Sequence, residues 1–242
     1  MPGTASGGAC ATPSSRYSRS SRLPTSRSTS GRALTTVPAW ITCSDPMSVA
    51  RVVAASPRPL TVARLLEEFG RIGLRKGQTV LVHGSLSSLG WVAGGPVAVI
   101  EALLAALGPT GTLVMPSHSA ENTEPSTWGN PAVPEEWWPI IRSEMPPFEP
   151  AKTPTRGMGR IAEAFRTWPG SVRSNHPTTS FTALGPHARA ITEDHALEEA
   201  FGERSPLARL YDLDGFVLLL GVGHDSNSRC VPRIRTRPTG FC

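Results

Sequence analysis

The chain has 242 residues, of which 39% are hydrophobic and 18% charged, and it carries a formal net charge of +5. That length can bury a substantial core in one large domain or two small ones. The positive charge lies at the ends: residues 1–46 and 229–242 hold nine arginines and one acid, whereas residues 47–228 hold 15 basic and 18 acidic residues, a net charge of −3. A nucleic-acid or anionic membrane partner, which a basic protein would suggest, is therefore not expected for residues 47–228.

Composition divides the chain into three parts. Residues 1–46 are rich in serine and arginine, as organellar transit peptides are, but they show no amphipathic periodicity and contain few apolar residues. We expect a disordered or non-native extension there, and a similar tail over residues 229–242. Residues 47–228 are predicted to form one domain.

All four cysteines lie outside that domain, at spacings that match no zinc or redox motif. A domain without cysteine needs no disulfide and suits the reducing cytoplasm. No stretch reaches the ~18 apolar residues of a membrane span, and the first residues lack the apolar segment of a secretory signal. These patterns predict a cytoplasmic protein that is not embedded in a membrane.

In chain order, the first predicted element is an amphipathic helix over residues 61–70, where Thr61 can cap the N-terminus. A short apolar run at 79–83 predicts a buried strand. A loop of small residues then leads into a helix over 97–107 and a second buried strand over 112–115. Strand, helix and strand form a βαβ unit, which implies adjacent parallel strands.

Residues 119–150 contain prolines, acids and three of the six tryptophans. We expect them to cross the carboxyl edge of the sheet, where open α/β sheets bind ligands. A short helix is predicted over 159–167, and the apolar run at 216–223 is predicted as a third buried strand in the centre of the sheet. The elements indicate an α/β fold with a mainly parallel central sheet and flanking helices.

The loop that follows the first predicted strand is a candidate phosphate-binding loop. Its small residues let the backbone approach a ligand, and N–H groups near a helix start favour anions. The loop is neither a Walker nor a Rossmann motif, and an ordinary connecting loop would have the same composition. The candidate cofactor-binding residues are Ser85, Leu86, Ser87, Ser88, Leu89 and Gly90.

A second candidate cofactor segment, at 153–159, places a cation among small residues just before a predicted helix. A backbone cradle with one arginine would suit a pyrophosphate or a pantetheine arm. A capped helix start with a solvated arginine is the alternative. The candidate residues are Thr153, Thr155, Arg156, Gly157 and Met158.

Polar residues follow the third predicted strand, and we take His224, Asp225 and Asn227 as catalytic candidates. His224 beside Asp225 could form a general base with its orienting acid, although neighbouring side chains on an extended chain usually point apart. Hydrogen bonds that pin the loop are an equal alternative. His176 is a second polar centre, for which a structural role is favoured.

Acidic residues of the 119–150 segment are candidates for substrate binding. A carboxylate cluster beside a pocket would attract a polycationic ligand, whereas an ordinary solvated loop would also carry such charges. The acids concerned are Glu121, Glu124, Glu135 and Glu136, of which Glu121 and Glu124 are taken as the substrate-binding candidates.

Together these segments, in this order, resemble the aminoglycoside N3-acetyltransferase family. The similar stretches lie at 82–90, 108–116, 153–159, 203–209, 211–215 and 221–227. The resemblance implies that acetyl-CoA donates an acetyl group to the 3-amino group of an aminoglycoside antibiotic, without a metal. It implies further that residues 84–90 and 153–159 hold the pyrophosphate and pantetheine of CoA, and that the acidic segment helps to recognise the cationic sugar.

The resemblance stops near Ser228. After the polar turn the family continues through a Thr/Ser-Leu-His segment whose histidine resembles a general base, whereas this chain continues with Arg229, Cys230 and Val231. We therefore expect the C-terminal part of the family fold to be missing. The alternative function is then a non-catalytic remnant that binds CoA or an aminoglycoside at most. The oligomeric state is not predicted.

Overall fold

A computed structural model describes residues 46–119, 122–129 and 131–226, with side chains from residue 49 onward. Apart from Pro46, the predicted extension and tail lie outside the described residues, and so do Glu121 and Asn227. The described helices are α1 (Pro46–Ala55), α2 (Val62–Arg71), α3 (Gly95–Leu107), α4 (Trp138–Glu144), α5 (Gly159–Arg166), α6 (Ala188–Thr192) and α7 (Pro206–Asp212). The strands are β1 (Thr79–Gly84), β2 (Thr112–Pro116), β3 (Val172–Arg173), β4 (Phe181–Leu184) and β5 (Phe216–Leu220).

The five strands form one sheet in the order β3-β4-β2-β1-β5. β1 runs parallel to both β2 and β5, which confirms the predicted βαβ unit and the α/β class. β4 is antiparallel to β2 and to β3, so the sheet is mixed, with a parallel part at β1. The sequence pattern did not reveal β3 and β4, because strands of two and four residues are too short to show a periodicity.

The third predicted strand differs in position and burial from the expectation. It ends at Leu220 and is the outermost strand of the described sheet, paired with β1 alone. Its side chains are half-buried, and Phe216 is 55% exposed. An apolar run predicts a buried strand. Burial also requires neighbouring elements on both sides of the strand, and the run itself gives no information about those neighbours. The expectation of a buried central strand was wrong for the described sheet.

Side chains of β1 alternate between two apolar layers, as the period of a strand requires. Val80 and Val82 pack with α2, α3 and α5 on one face, where Leu103 is fully buried. Leu81 packs on the opposite face, beneath α6 and α7. The two layers hold the carboxyl ends of β1 and β2 in place, and the loops that follow these ends form the candidate site.

Local signals set the helix boundaries close to the expected ones. The Thr61 hydroxyl caps α2 by accepting a hydrogen bond from the Arg64 N–H at 3.3 Å. α3 begins at Gly95, two residues before the predicted start, because Pro96 is well suited to the first turn of a helix. Among the helices of the described ranges, none has both the length and the apolarity needed to cross a bilayer.

Candidate functional site

A cavity of about 680 Å³ opens at the carboxyl end of β1. The loop after β1 forms one wall, the turn before α5 forms another, and Val222 after β5 contributes to the lining, as do residues of α1. Two predicted cofactor segments that are almost 70 residues apart in sequence therefore meet in space. The predicted residues that line this cavity are Ser85, Leu86, Ser87, Gly90, Gly157 and Met158.

The loop after β1 is held against α1 by a glycine and a serine. Gly90 has φ +85°, and a Cβ there would lie 2.9 Å from the Ser56 hydroxyl. That hydroxyl accepts a hydrogen bond from the Trp91 N–H at 2.8 Å and donates one to the Val52 carbonyl at 2.7 Å. Only glycine combines this backbone conformation with such a close approach. The loop therefore has a defined position relative to α1.

Within the loop, residues 86–89 form a short 3₁₀ helix whose two leucines pack against the core. Leu86 and Leu89 thus anchor the loop, whereas Ser87 and Ser88 are exposed. The Ser85 and Ser88 hydroxyls are 3.0 Å apart and hydrogen-bonded to each other. Ser88 and Leu89 line a neighbouring groove rather than the cavity itself.

The second predicted segment is positioned by backbone hydrogen bonds. The Arg156 N–H donates to the His118 carbonyl at 2.8 Å, and the Thr155 N–H donates to the Glu163 carboxylate at 2.8 Å. Thr155 lines a smaller hollow of about 470 Å³ that adjoins the cavity at Gly157 and Met158. Thr153 and Arg156 line neither space.

A buried arginine, which no sequence pattern predicts, connects this segment to the sheet. The Arg173 guanidinium donates to the carbonyl oxygens of Pro150, Thr153 and Ser117, and to the Ser180 hydroxyl at 2.9 Å. Burial lowers the pKa of Arg173 to about 10, so the group remains protonated at neutral pH. One cation thus joins the end of β2, the start of β4 and the chain that leads into the cavity wall. No local sequence signal distinguishes it from an exposed strand arginine.

Four histidines gather on the α6 and α7 side of the sheet, near the carboxyl ends of β1 and β2. The rings of His176 and His195 are 4.4 Å apart. His176 Nδ1 accepts hydrogen bonds from the Thr178 and Thr179 N–H groups, which satisfies the structural role expected for it. His195 donates from Nε2 to the Ala200 carbonyl at 3.1 Å, so its Nδ1 accepts from the Ser174 hydroxyl.

The other two imidazoles are neutral and have one nitrogen without a hydrogen bond from a described residue. Burial lowers the pKa of His83 to about 4, and only 6% of this residue is exposed. Burial, and then repulsion from the other histidines and Arg173, lowers the pKa of His118 to about 4. Nε2 of each ring is buried and unpartnered within the described ranges. His83 lies where the first predicted strand leads into the candidate loop, and no local pattern marks His118 as a site residue.

The catalytic candidates of the polar turn are placed differently. His224 and Asp225 lie in an exposed 3₁₀ helix, His224–Ser226, and neither is hydrogen-bonded to another described residue. Asn227 lies outside the described residues. The described structure therefore does not show His224 and Asp225 as a base with its orienting acid. The turn does begin beside the cavity, since Val222 lines it.

The substrate-binding candidate Glu124 is already paired. Its carboxylate accepts from the Arg142 guanidinium at 2.5 to 3.2 Å, and this hydrogen bonding lowers the pKa of Glu124. The pair leaves little net negative charge at this point. Glu135 and Glu136 are exposed at the start of another 3₁₀ helix. In the part of the chain that the structure describes, no three side chains form a group suited to hold a metal ion.

Comparison with known proteins agrees with the family that the sequence resembles. Residues 81–230 match the family model of aminoglycoside 3-N-acetyltransferases. The chain is 51% identical, over 74% of its length, to the SPbeta prophage-derived aminoglycoside N(3')-acetyltransferase-like protein YokD of Bacillus subtilis. It is 40% identical, over 69% of its length, to aminoglycoside N(3)-acetyltransferase VIII of Streptomyces fradiae. The chain belongs to the aminoglycoside 3-N-acetyltransferase family.

Solved structures show the same fold. The crystal structure of YokD has a TM-score of 0.73 and covers 75% of this chain and 67% of its own. AAC-IIIb, solved as a binary complex with CoASH, has a TM-score of 0.61 at 36% identity and covers 68% of this chain and 60% of its own. AAC-VIa, solved in complex with sisomicin, has a TM-score of 0.64 at 34% identity. Its match covers 71% of this chain and 63% of the AAC-VIa chain. The chain spans 66% and 58% of the lengths of the B. subtilis and S. fradiae proteins.

Proposed function

We propose that this protein transfers the acetyl group of acetyl-CoA to the 3-amino group of an aminoglycoside antibiotic. The observation that carries the proposal is the single cavity between the loop after β1 and the turn before α5. These are the two segments to which the family resemblance assigns the cofactor. The relatives support it further, since one is described with CoASH and another with sisomicin.

The cavity suits the pantetheine arm of the cofactor. Its lining is largely glycine and apolar side chains, with Arg160 as a cation at its edge. An extended chain of amides and methylenes suits a mainly apolar cavity with backbone groups for hydrogen bonding.

The reaction requires a base and donors for an oxyanion. The 3-amino nitrogen forms a bond to the thioester carbonyl carbon, the carbon–sulfur bond breaks, and the amine proton passes through a base to the CoA thiolate. His224 remains our candidate for that base, with Asp225 and Asn227 beside it. This assignment is a proposal from the sequence, and the acidic net charge of residues 47–228 favours a polycationic substrate.

A second candidate function is binding without acetyl transfer. The observation in its favour is that His224 is exposed and has no hydrogen-bonding partner in the described ranges. A base without an orienting acid would transfer protons poorly, and complete loss of general-base catalysis would cost about 10²- to 10⁴-fold in rate. We also propose a cytoplasmic location, because the predicted domain contains no cysteine and needs no oxidising compartment.

Calorimetric titration with CoA and a thiol-release assay with acetyl-CoA and sisomicin separate these functions. Acetyl transfer predicts both CoA binding and thiol release that depends on the aminoglycoside. Binding without thiol release would favour the second function, and the absence of both would contradict each of them. Ser87→Trp should abolish CoA binding, because Ser87 is exposed and lines the cavity. Ser143→Trp, on the exposed surface of α4, is the matched control and should bind CoA normally.

A further inference from the structure

β5 is an edge strand of the described sheet. It pairs with β1 alone among the described strands, so one side of its backbone has no partner in the described ranges. Edge strands are normally protected by charged residues, prolines, bulges or a very short length. β5 has five residues, Phe216–Leu220, which are all apolar and include no proline. A strand of this kind is open to pairing with a further strand.

The opposite edge of the sheet is different. β3 has only two residues, Val172–Arg173, and the guanidinium group of Arg173 is already hydrogen-bonded to the Ser180 hydroxyl and to three carbonyl oxygens. So short an edge strand offers little for pairing. Within the described sheet, association through strand edges is therefore confined to β5, and it closes after two copies instead of continuing as a fibre.

The hydrogen bonds to β1 determine which backbone groups of β5 point outward. The Leu220 carbonyl accepts from the Ser85 N–H at 3.0 Å, so the backbone groups of Leu220 face β1. Successive residues of a strand direct their N–H and C=O groups to opposite edges, so Val217 and Leu219 direct theirs to the open side. The open edge of β5 therefore presents the N–H and C=O groups of these two residues.

These groups match a second copy of the same strand in one antiparallel register. With a two-fold axis at Leu218, Val217 of each copy lies opposite Leu219 of the other, and residues so placed exchange both of their hydrogen bonds. Two such residue pairs, with two hydrogen bonds each, use every outward N–H and C=O group of both β5 strands. A register shifted by two residues would leave half of these groups unpaired.

The side chains agree with the same register. Leu218 and Leu220 pack against the core layer of α2, α3 and α5, and Val217 packs against the layer of α6 and α7. In the two-fold arrangement, Leu218 lies beside its own copy and Phe216 beside Leu220, so apolar side chains contact one another. The exposed acid Asp212 is then far from Asp212 of the second copy, whereas parallel pairing would place these like charges side by side.

We propose that two copies of this protein associate through β5, as an antiparallel pair related by a two-fold axis at Leu218. The two five-stranded sheets then form one continuous sheet across the interface. The pairing covers the Phe216 side chain, which is 55% exposed in the single chain. It also brings Phe216 of each copy beside Leu220 of the other, two residues before Val222 in the cavity wall.

Sedimentation velocity of the full chain between about 1 and 100 μM measures the assembly, because so small an interface implies a Kd in the micromolar range. We expect a concentration-dependent shift from the 25.7 kDa of one chain to the mass of two. Leu219→Pro removes an outward N–H that β1 does not use, so β5 stays in the sheet and the dimer loses half of its hydrogen bonds. Its dimer Kd should rise at least about ten-fold. Leu219→Ile keeps the N–H and the apolar side chain, and this matched control should dimerise as the wild type does.

A pair of cysteine variants tests the register. Leu218→Cys, in a chain whose four native cysteines are replaced by serine, should form a disulfide between copies under mild oxidation. The two Cα atoms at the axis lie about 4.5 to 5.5 Å apart, within the range of a disulfide. Phe216→Cys in the same background is the control, because its two Cα atoms would be roughly 14 Å apart. Non-reducing electrophoresis measures the cross-linked fraction.

A full chain that stays monomeric at about 100 μM would overturn the proposal. Hydrogen-exchange protection of the Val217 and Leu219 amides in that monomer would then assign the edge to residues 229–242 instead of a second copy. Assembly beyond two chains would also overturn it, and so would a dimer that Leu219→Pro leaves intact while circular dichroism shows the native fold. If Leu219→Pro unfolds, the cysteine variants decide: cross-linking of Leu218→Cys alone supports the pairing, and equal or absent cross-linking of both variants refutes it.

Discussion

Lowering the pH from 7 to 5 should destabilise the fold through its buried histidines. Burial lowers the pKa of His83, His118 and His195 from 6.5 to about 4. In the unfolded chain these groups take up a proton below pH 6.5, whereas in the folded protein they remain neutral down to about pH 4. The unfolded state therefore binds more protons in this window, and stability is lost as the pH falls through it.

The size of the effect follows from the pKa difference. A histidine with pKa 6.5 unfolded and about 4 folded contributes roughly 2 kcal/mol to the change in unfolding free energy between pH 7 and 5. Carboxyl groups contribute little in this range, because their ordinary pKa lies near 4.5 or below. Urea denaturation at the two pH values, followed by tryptophan fluorescence and circular dichroism, measures the difference directly.

Substitution of a single histidine measures its contribution to the pH dependence of stability. His83→Leu removes a buried imidazole whose Nε2 has no described partner, so the pH dependence should shrink by about 2 kcal/mol. His187→Gln changes an exposed histidine and should leave the pH dependence as in the wild type. If His83→Leu retained the full wild-type difference between pH 7 and 5, the attribution to buried neutral histidines would be wrong.

Two further substitutions test the packing around the site. Arg173→Met leaves four acceptors without their donor and should lower the unfolding free energy by about 3 kcal/mol in urea denaturation. Arg173→Lys should restore part of this stability, and part of the CoA affinity measured by calorimetry. Equal losses in the two variants would contradict a role for the forked geometry of the guanidinium group. Gly185→Ala places a Cβ 2.2 Å from the Gly111 carbonyl at φ +128° and should cost at least about 3 kcal/mol. Gly129→Ala, with open space around it, is the control; similar melting temperatures for both variants would refute the steric argument.

Much of the fold could be predicted because its signals are local. The boundaries of α2, β1, α3, β2 and α5 lie within two residues of the predicted ones, since caps, glycines and apolar runs occur within the elements themselves. β3 and β4 were not predicted, because they are short and are stabilised by pairing with strands elsewhere in the chain.

The same distinction between local pattern and long-range contact applies to the candidate site. The amino-acid sequence alone was enough to assign the family and to select the two small-residue segments that meet in the cavity, because both depend on the residue types at each position. Three facts required the folded structure: Ser87 and Met158 line one cavity, Arg173 holds the chain that leads into its wall, and Glu124 is paired with Arg142. Each of these facts is a contact between residues far apart in sequence, and such contacts are set by packing rather than by local pattern.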